Sequence, residues 1–265
     1  MHNRVRIRST FNESAGIYDR VRPSYPDQII EDAIALSKIP DGGRILEIGC
    51  GTGKATELFS SKGYVIDCLD IGTDLVSVAL EKFKDNNKIK VIVSSFEDWH
   101  PNEFKYDLVL AAASLHWVDP AVRLKKSASI LRSTGSLAIL SNKHIQKNEG
   151  FFKRVRDSYN AYAPSMQKVA ANRQKLWDHS VVGEDLFCKA EVRRVPWVEE
   201  YSAKDYVALL GTYSDHLSLP ENERSVLFAN IEKLIRDEFG GFVRKHYEAS
   251  LSLRTVRDSV AKSRT

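Results

Sequence analysis

Arg44-Ile45-Leu46-Glu47-Ile48-Gly49-Cys50-Gly51-Thr52-Gly53 is the stretch that decides the fold. A short apolar run ends in a carboxylate, and glycine then stands at every second position. Such a loop lets the backbone bend sharply and approach a ligand with no Cβ in the way. The helix-forming stretch Lys54 to Ser61 comes next. Strand, glycine loop and helix in that order open a doubly wound nucleotide-binding sheet, whose ligand lies past the carboxyl end of the strand.

The loop departs from the dinucleotide fingerprint G-x-G-x-x-G. Gly49 and Gly51 fit it, but the third glycine position holds Lys54, and a glycine comes one residue early at Gly53. Glu47, at the mouth of the loop, repels a pyrophosphate and attracts an ammonium. A nicotinamide dehydrogenase is thereby disfavoured. The expected ligand is an adenosine that carries a cation, and S-adenosylmethionine (SAM), with its α-ammonium and sulfonium, has that character. A structural glycine turn with a surface Glu is the competing reading. The run Tyr64 to Asp70 reads as a second strand ending in an acid. Asp70 falls about 20 residues beyond the glycines, where a carboxylate accepts hydrogen bonds from ribose hydroxyls. Its competing role is to cap the helix that starts near Thr73. Thr73 and Asp74 can do that, which leaves Asp70 for the ribose.

Strands and helices alternate through the first half of the chain. Strands are expected at Arg44–Ile48, Tyr64–Asp70, Ile89–Val93, Tyr106–Ala112 and Ser136–Ser141, and helices at Lys54–Ser61, Asp74–Phe83 and Pro120–Leu131. Arg132-Ser133-Thr134-Gly135 reads as the turn into the fifth strand. Alternation of this kind means a parallel sheet covered on both faces. Upstream, Thr10 to Arg22 reads as a short helix, and Pro26 suits the first turn of a helix through Lys38. After Asn142 the pattern changes. Residues from Glu149 to Lys189 read as helical and aromatic-rich, with Phe151, Phe152, Tyr159, Tyr162 and Trp177. A strand-like stretch, Glu191 to Trp197, then precedes two helices, Ala203–Leu210 and Glu221–Phe239. An alternating run, Phe242 to Leu253, comes last.

In these motifs the chain resembles the class I SAM-dependent methyltransferases. Glu47 to Gly53 matches their first motif and Asp70 their second. Val93-Ser94-Ser95-Phe96-Glu97-Asp98-Trp99 matches the adenine-binding turn after their third strand, and Tyr106-Asp107-Leu108-Val109-Leu110 their fourth strand. The likeness narrows toward the trans-aconitate methyltransferases and their small-molecule relatives. It does so through Tyr18-Asp19-Arg20-Val21-Arg22-Pro23-Ser24-Tyr25-Pro26 and through His116-Trp117. The core motifs cover roughly the first half of the chain, and the second half resembles the group only loosely.

The resemblance implies an α/β fold: a doubly wound, seven-stranded, mainly parallel Rossmann-like sheet with a helical cap insertion. Glu191–Trp197 and the final run would close the sheet as its sixth and seventh strands, the last antiparallel. The expected division is 1–142 as SAM-binding core with an N-terminal lid segment, 143–190 as helical cap, and 191–265 as completion of the sheet with a helical insertion at 200–240. The cap and the Tyr18–Tyr25 segment are expected to fold over the strand ends and to order when ligand binds.

Composition sets the outer bounds. The chain has 265 residues, 43% of them hydrophobic, which suffices for one well-buried α/β domain plus a smaller cap. Lys and Arg number 39 against 35 Asp and Glu, a net charge of +4 that does not demand a nucleic-acid partner. Part of the excess sits in Arg4, Arg6 and Arg8, read as a solubilising tail. Neither a secretion signal nor a membrane span is expected, since no long apolar run occurs. Cys50, Cys68 and Cys188 form no close-spaced metal pair, so no metal is expected and a reduced, cytoplasmic setting is the default.

The candidate site residues follow from these motifs. Gly49, Cys50 and Gly51 bring backbone to the ligand, Glu47 faces its amino end, and Asp70 with Ile71 faces the ribose. Ser95, Phe96 and Glu97 form the adenine turn, with Ser95 standing where many relatives have an Asp. Ala111 passes close to the cofactor after the fourth strand. Tyr18 and Arg22 are counted with the cofactor, although an arginine can bind either the methionine carboxylate or a substrate acid. Tyr25, His116 and Trp117 are expected at the substrate. His116 is the catalytic candidate, as general base or as a hydrogen-bond donor to a substrate acid, with a structural histidine as the alternative.

Ala111-Ala112-Ala113-Ser114 replaces the Asn/Asp-Pro-Pro-aromatic motif of amino-methylating DNA enzymes, and this favours a small organic substrate. The expected activity is SAM-dependent methylation of a small molecule, with carboxylate O-methylation implied by the resemblance. The rivals are hydroxyl, N- or C-methylation with His116 as base, and a SAM-binding regulator without catalysis.

Overall fold

A computed structural model describes residues 15–101, 105–145, 149–166 and 184–257. The arginines at 4, 6 and 8, the start of the helix expected from Thr10, and Trp177 lie outside them. The elements in chain order are α1 (Ala15–Val21), α2 (Asp27–Ser37), β1 (Arg44–Ile48), α3 (Lys54–Ser60), β2 (Val65–Asp70), α4 (Thr73–Phe83), β3 (Ile89–Val93) and β4 (Tyr106–Ala112). There follow α5 (Pro120–Ile130), β5 (Leu131–His144), α6 (Gly150–Tyr162), β6 (Glu191–Ser202), α7 (Ala203–Leu210), α8 (Ser214–Leu217), α9 (Glu221–Glu238) and β7 (Phe242–Thr255).

The strands form one seven-stranded sheet in the order β3-β2-β1-β4-β5-β7-β6. Strands β1 to β5 run parallel. β7 is antiparallel to β5, since Ser136 meets Thr255, Ser141 meets Ser250, and Ile145 donates to the His246 carbonyl. β1 lies at the centre, with Glu47 paired to Cys68 on one side and to Leu110 on the other. The order reverses at β1, because β2 goes to one side and β4 to the other. In a doubly wound sheet the ligand crevice lies at that point, beyond the carboxyl ends of the strands.

One turn is corrected. Arg132 to Gly135 is strand, and β5 begins at Leu131 opposite Tyr106. The register between β4 and β5 shifts between Tyr106 and Leu108, so an irregularity absorbs the turn-prone residues without ending the strand.

The described chain falls into two compact units. One contains residues 24–142, 184–195 and 249–257, and its core joins Leu46, Ile48, Leu69, Val109, Ala111 and Leu137. The other contains residues 15–23, 143–166 and 196–248, with Phe151, Phe152, Tyr206, Leu209, Leu227 and Ile231 at its centre. The second unit thus draws on three separate stretches of sequence. Ser202 starts its α7 by accepting the Asp205 amide on its hydroxyl. Among the described residues, no helix is long and apolar enough to cross a membrane.

Candidate functional site

The glycine loop leaves β1 with Gly49, Gly51 and Gly53 all at positive φ, +68°, +58° and +81°. Each glycine meets a different need. A Cβ on Gly49 would stand 2.5 Å from the Ser114 Cβ, and one on Gly53 would stand 2.4 Å from the Phe83 ring. Those two permit packing against β4's loop and α4. Beside Gly51 no described heavy atom lies within 4 Å of a Cβ position, which suits the close approach of a ligand.

Four of the loop amides are committed inside the protein. Gly49 N and Cys50 N both donate to the Leu69 carbonyl, at 2.7 and 3.0 Å, and Gly53 N donates to the Cys50 carbonyl at 2.9 Å. Gly51 N donates to Asp70 Oδ2 at 2.8 Å, while Asp70 Oδ1 accepts the Gly72 amide, also at 2.8 Å. A pyrophosphate depends on such amides turned toward it, so this loop serves one poorly. Asp70 therefore clasps the loop between β1 and β2 as well as presenting its charge.

Glu47 points into the core, and its residue is 1% exposed. Thr56 Oγ1, one turn into α3, donates to its Oε2 at 2.6 Å. Burial pushes the Glu47 carboxyl up to about 8. The Thr56 hydrogen bond opposes that rise, and the negative charge of Asp70 adds to it. The Asp70 carboxylate favours a positively charged ligand, which a SAM ammonium or sulfonium provides, and a cation placed there would also draw the Glu47 carboxyl toward its ionised form. Thr52 Oγ1 is buried in the same loop and has no hydrogen-bond partner among the described residues. These features fit SAM. The thiol of Cys50 is held well above the usual range, first by a hydrogen bond with Cys68, then by burial and the nearby carboxylates.

The turn after β3 is organised by Ser95, whose hydroxyl donates to Asp98 Oδ2 at 2.6 Å and accepts the Asp98 amide at 2.9 Å. The Phe96 ring is buried in the core, with the Lys126 ammonium 5.3 Å from its centroid. Glu97 Oε1 accepts the Asp119 amide at 2.9 Å, tying this turn to the loop after β4. Ala111 is fully buried in β4, and Ile71 is half-buried just beyond β2.

The loop after β4 carries a second unusual backbone position. Ala113 has φ of +56°, a left-handed conformation that a non-glycine residue rarely adopts. It turns the chain so that Ser114 donates to the Ile48 carbonyl, next to Gly49. His116 and Trp117 follow in a 3-10 turn, Leu115–Trp117, with ring centroids 4.8 Å apart, and both are half-buried. Tyr25 is half-buried in the extended segment before α2.

Tyr18 and Arg22 belong to the other unit. Arg22 Nε donates to Thr212 Oγ1 at 2.8 Å, and its Nη2 donates to the Thr212 carbonyl at 2.6 Å. Its guanidinium carbon stands 4.9 Å above the Tyr18 ring and 4.5 Å above that of Tyr213. The structure thus gathers Glu47, the glycines, Asp70, Ser95–Glu97, Ala111 and His116–Trp117 in one unit, and Tyr18 and Arg22 in the second. Sequence reasoning missed Thr56, Ser114 and the bend at Ala113. Thr56 carried a signal, because it lies one turn into the helix that follows the loop and faces back toward β1.

Comparison with known proteins agrees with this geometry. Residues 46–139 match the family described as a methyltransferase domain. The chain is 27% identical over 248 residues to malonyl-[acyl-carrier protein] O-methyltransferase 1 of Ilyobacter polytropus, spanning 90% of this chain and 88% of that one. It is 22% identical over 226 residues to an uncharacterized methyltransferase of Mycobacterium bovis, covering 85% of each. A solved protein of Anaeromyxobacter dehalogenans assigned to the type II methyltransferases shares the fold, with a TM-score of 0.60 and 18% identity over 88% of this chain and 97% of that one. The matched domain begins inside β1 and ends inside β5, so it takes in the glycine loop, Asp70, the turn after β3 and the bend at Ala113. The matched domain and these relatives support a class I likeness, and the molecule is an S-adenosylmethionine-dependent methyltransferase.

Proposed function

We propose that this enzyme methylates a carboxylate oxygen of a small organic acid. The observation that carries the reading is the likeness, over nine-tenths of the chain, to an enzyme named for O-methylation of a malonyl group. The free oxygen of a malonyl group belongs to a carboxylate. The likeness of Tyr18–Pro26 and His116-Trp117 to the trans-aconitate methyltransferase group points to the same acceptor chemistry.

A carboxylate is ionised near neutral pH and is its own nucleophile, so the protein has no proton to remove. Bound SAM supplies the methyl group. The protein's part is to orient the reactants and keep water away. In this reading Asp70 receives the ribose hydroxyls, Glu47 lies toward the amino end of the ligand, whose ammonium would favour its ionised form, Gly51 admits the ligand to the backbone, and the Ser95–Glu97 turn borders the adenine. A cytoplasmic, small-molecule role is part of the same proposal.

The test is to incubate the protein with SAM and a panel of small mono-, di- and tricarboxylic acids and to follow S-adenosylhomocysteine release and product mass. A methyl ester, cleaved by mild alkali, is the expected product. Methyl found only on ether oxygen, nitrogen or carbon would refute the reading. One observation favours such a product: His116 stands half-buried beside Trp117 on the loop after β4, where a general base would serve a hydroxyl acceptor.

A further inference from the structure

Strand β7 alternates strictly, and its inward positions are Val243, Lys245, Tyr247, Ala249, Leu251 and Leu253. Lys245 is the one charged member of that apolar face, and it is only 3% exposed. Lysine is almost never fully buried unless it is paired. Its Nζ donates to Tyr213 Oη at 3.2 Å, and among the described residues no carboxylate lies within ion-pair distance. Three aromatic faces surround it instead. Nζ is 5.2 Å from the Tyr213 centroid, 5.5 Å from that of Tyr247 and 5.7 Å from that of Tyr206. Trp197 stacks on Tyr247 at 5.2 Å and extends the wall.

A second cation shares this cage. The Arg22 guanidinium lies against the same Tyr213 ring, anchored by Thr212. Three acids of the unit serve other partners: Asp205 pairs with Arg20, Glu200 with Arg244, and Asp215 holds His216 Nδ1 at 2.8 Å. Ring faces offset part of the cost of burying an ammonium, but they carry no negative charge. Two cations on one tyrosine ring, one of them sealed from water, form a site whose charge is completed by an anion.

We infer that Lys245 and Arg22 form a receptor for the carboxylate of an organic acid, with Tyr206, Tyr213 and Tyr247 as the walls for its apolar body. The inference rests on the carboxyl-methylation reading for its choice of carboxylate over other anions. An ammonium offers three donors and a point charge, and an arginine offers a planar fork, so both suit a carboxylate. None of these residues lies in the matched methyltransferase domain, so the receptor would be a specificity element distinct from the cofactor loop.

The experiment uses the full chain and two simple probes, benzoate and its neutral isostere benzamide, titrated without SAM and followed by ligand-observed NMR. Benzoate should bind about tenfold or more tightly than benzamide, the difference being a charge-assisted interaction. Lys245→Met should abolish that preference, and so should Lys245→Gln, which keeps a hydrogen bond for Tyr213 but no charge. S-adenosylhomocysteine affinity should be unchanged in both. Without ligand, Lys245→Met should also melt higher than wild type by about 2 °C or more, since it removes an uncompensated buried cation.

Equal binding of the two probes, benzoate binding that survives both substitutions, or a lower melting temperature in both variants would overturn the receptor. Inorganic phosphate binding through Lys245 while benzoate does not would overturn the carboxylate assignment. Methyl-ester formation by Lys245→Met at the wild-type KM would sink the receptor and leave the carboxyl-methylation reading standing. Lys245-dependent benzoate binding without any ester product would do the reverse.

Discussion

Thr56 Oγ1 donates to Glu47 Oε2 at 2.6 Å, with both residues sealed from water. The pair fixes the first turn of α3 to the end of β1, and it sets an unusual proton affinity. Burial, opposed by Thr56 and aided by Asp70, raises the Glu47 carboxyl from 4.5 to about 8. The sign follows from the direction of that shift: the native state holds the proton more tightly than the unfolded chain. The stability contributed by neutral Glu47 is full below pH 4.5 and is lost as pH rises through 8. Glu47→Gln should therefore lack this decline, and wild type should lose on the order of a few kcal/mol relative to it between pH 4.5 and pH 8.5. Urea unfolding of both proteins at the two pH values measures this. A difference that does not change with pH would contradict the assignment.

Asp70 clasps the glycine loop through Gly51 and Gly72 and is the proposed ribose acceptor. Asp70→Ala should weaken S-adenosylhomocysteine binding about ten- to a hundredfold. It should also cost about 1–3 kcal/mol of stability from the stranded amides. Calorimetry that finds unchanged affinity in a folded variant would remove Asp70 from the ribose.

Gly49 meets Ser114 so closely that alanine has no room, and its φ of +68° adds strain. Gly49→Ala should destabilise by on the order of 2–4 kcal/mol. Adding Ser114→Gly clears the contact but leaves the backbone strain, so the double variant should recover only part of the loss. Strict additivity of the two substitutions in chemical denaturation would show that the contact does not limit this position.

Arg22→Ala and His116→Ala separate the acceptor classes. With a carboxylate acceptor, Arg22→Ala should weaken binding while His116→Ala sustains turnover. With a hydroxyl acceptor, His116→Ala should slow single-turnover chemistry about 100-fold or more. Near-wild-type rates and affinities in both variants would leave neither residue with a role.

Much of the parallel half was legible because each strand is short, apolar and punctuated by turn residues. Ile89–Val93 and Tyr106–Ala112 have the expected bounds. The helix over Ala203–Leu210 was legible in the same way. Arg132-Ser133-Thr134-Gly135 misled because its local chemistry is that of a turn, whereas Leu131 and Ser136 on either side pair with β4 and Gly135 accepts the Val256 amide, which keeps it in the strand. The site was legible where a residue acts through its place along the chain, as Gly51 and Asp70 do. It was illegible where a residue acts through a partner far away in sequence. Ser114 on Gly49, and Arg22 with Tyr213, are fixed only by tertiary packing. Lys245 lies between these cases: the alternation of β7 put it on an apolar face, but nothing local revealed the rings around it.

The last of the described strands in chain order, β7, is an interior strand, seated between β5 and β6. Until it emerges from the ribosome, β5 has a bare edge of unpaired amides and carbonyls, the kind of surface on which other chains can add. The nascent sheet is thus at its most adhesive while most of it is already made, and the fourteen residues of β7 cover that edge in one antiparallel step. Translation that stalls before Phe242 would yield an aggregation-prone molecule despite a finished glycine loop. Solubility of the newborn chain, and with it yield in the cell, therefore hangs on a segment that contributes nothing to the methyltransferase motif.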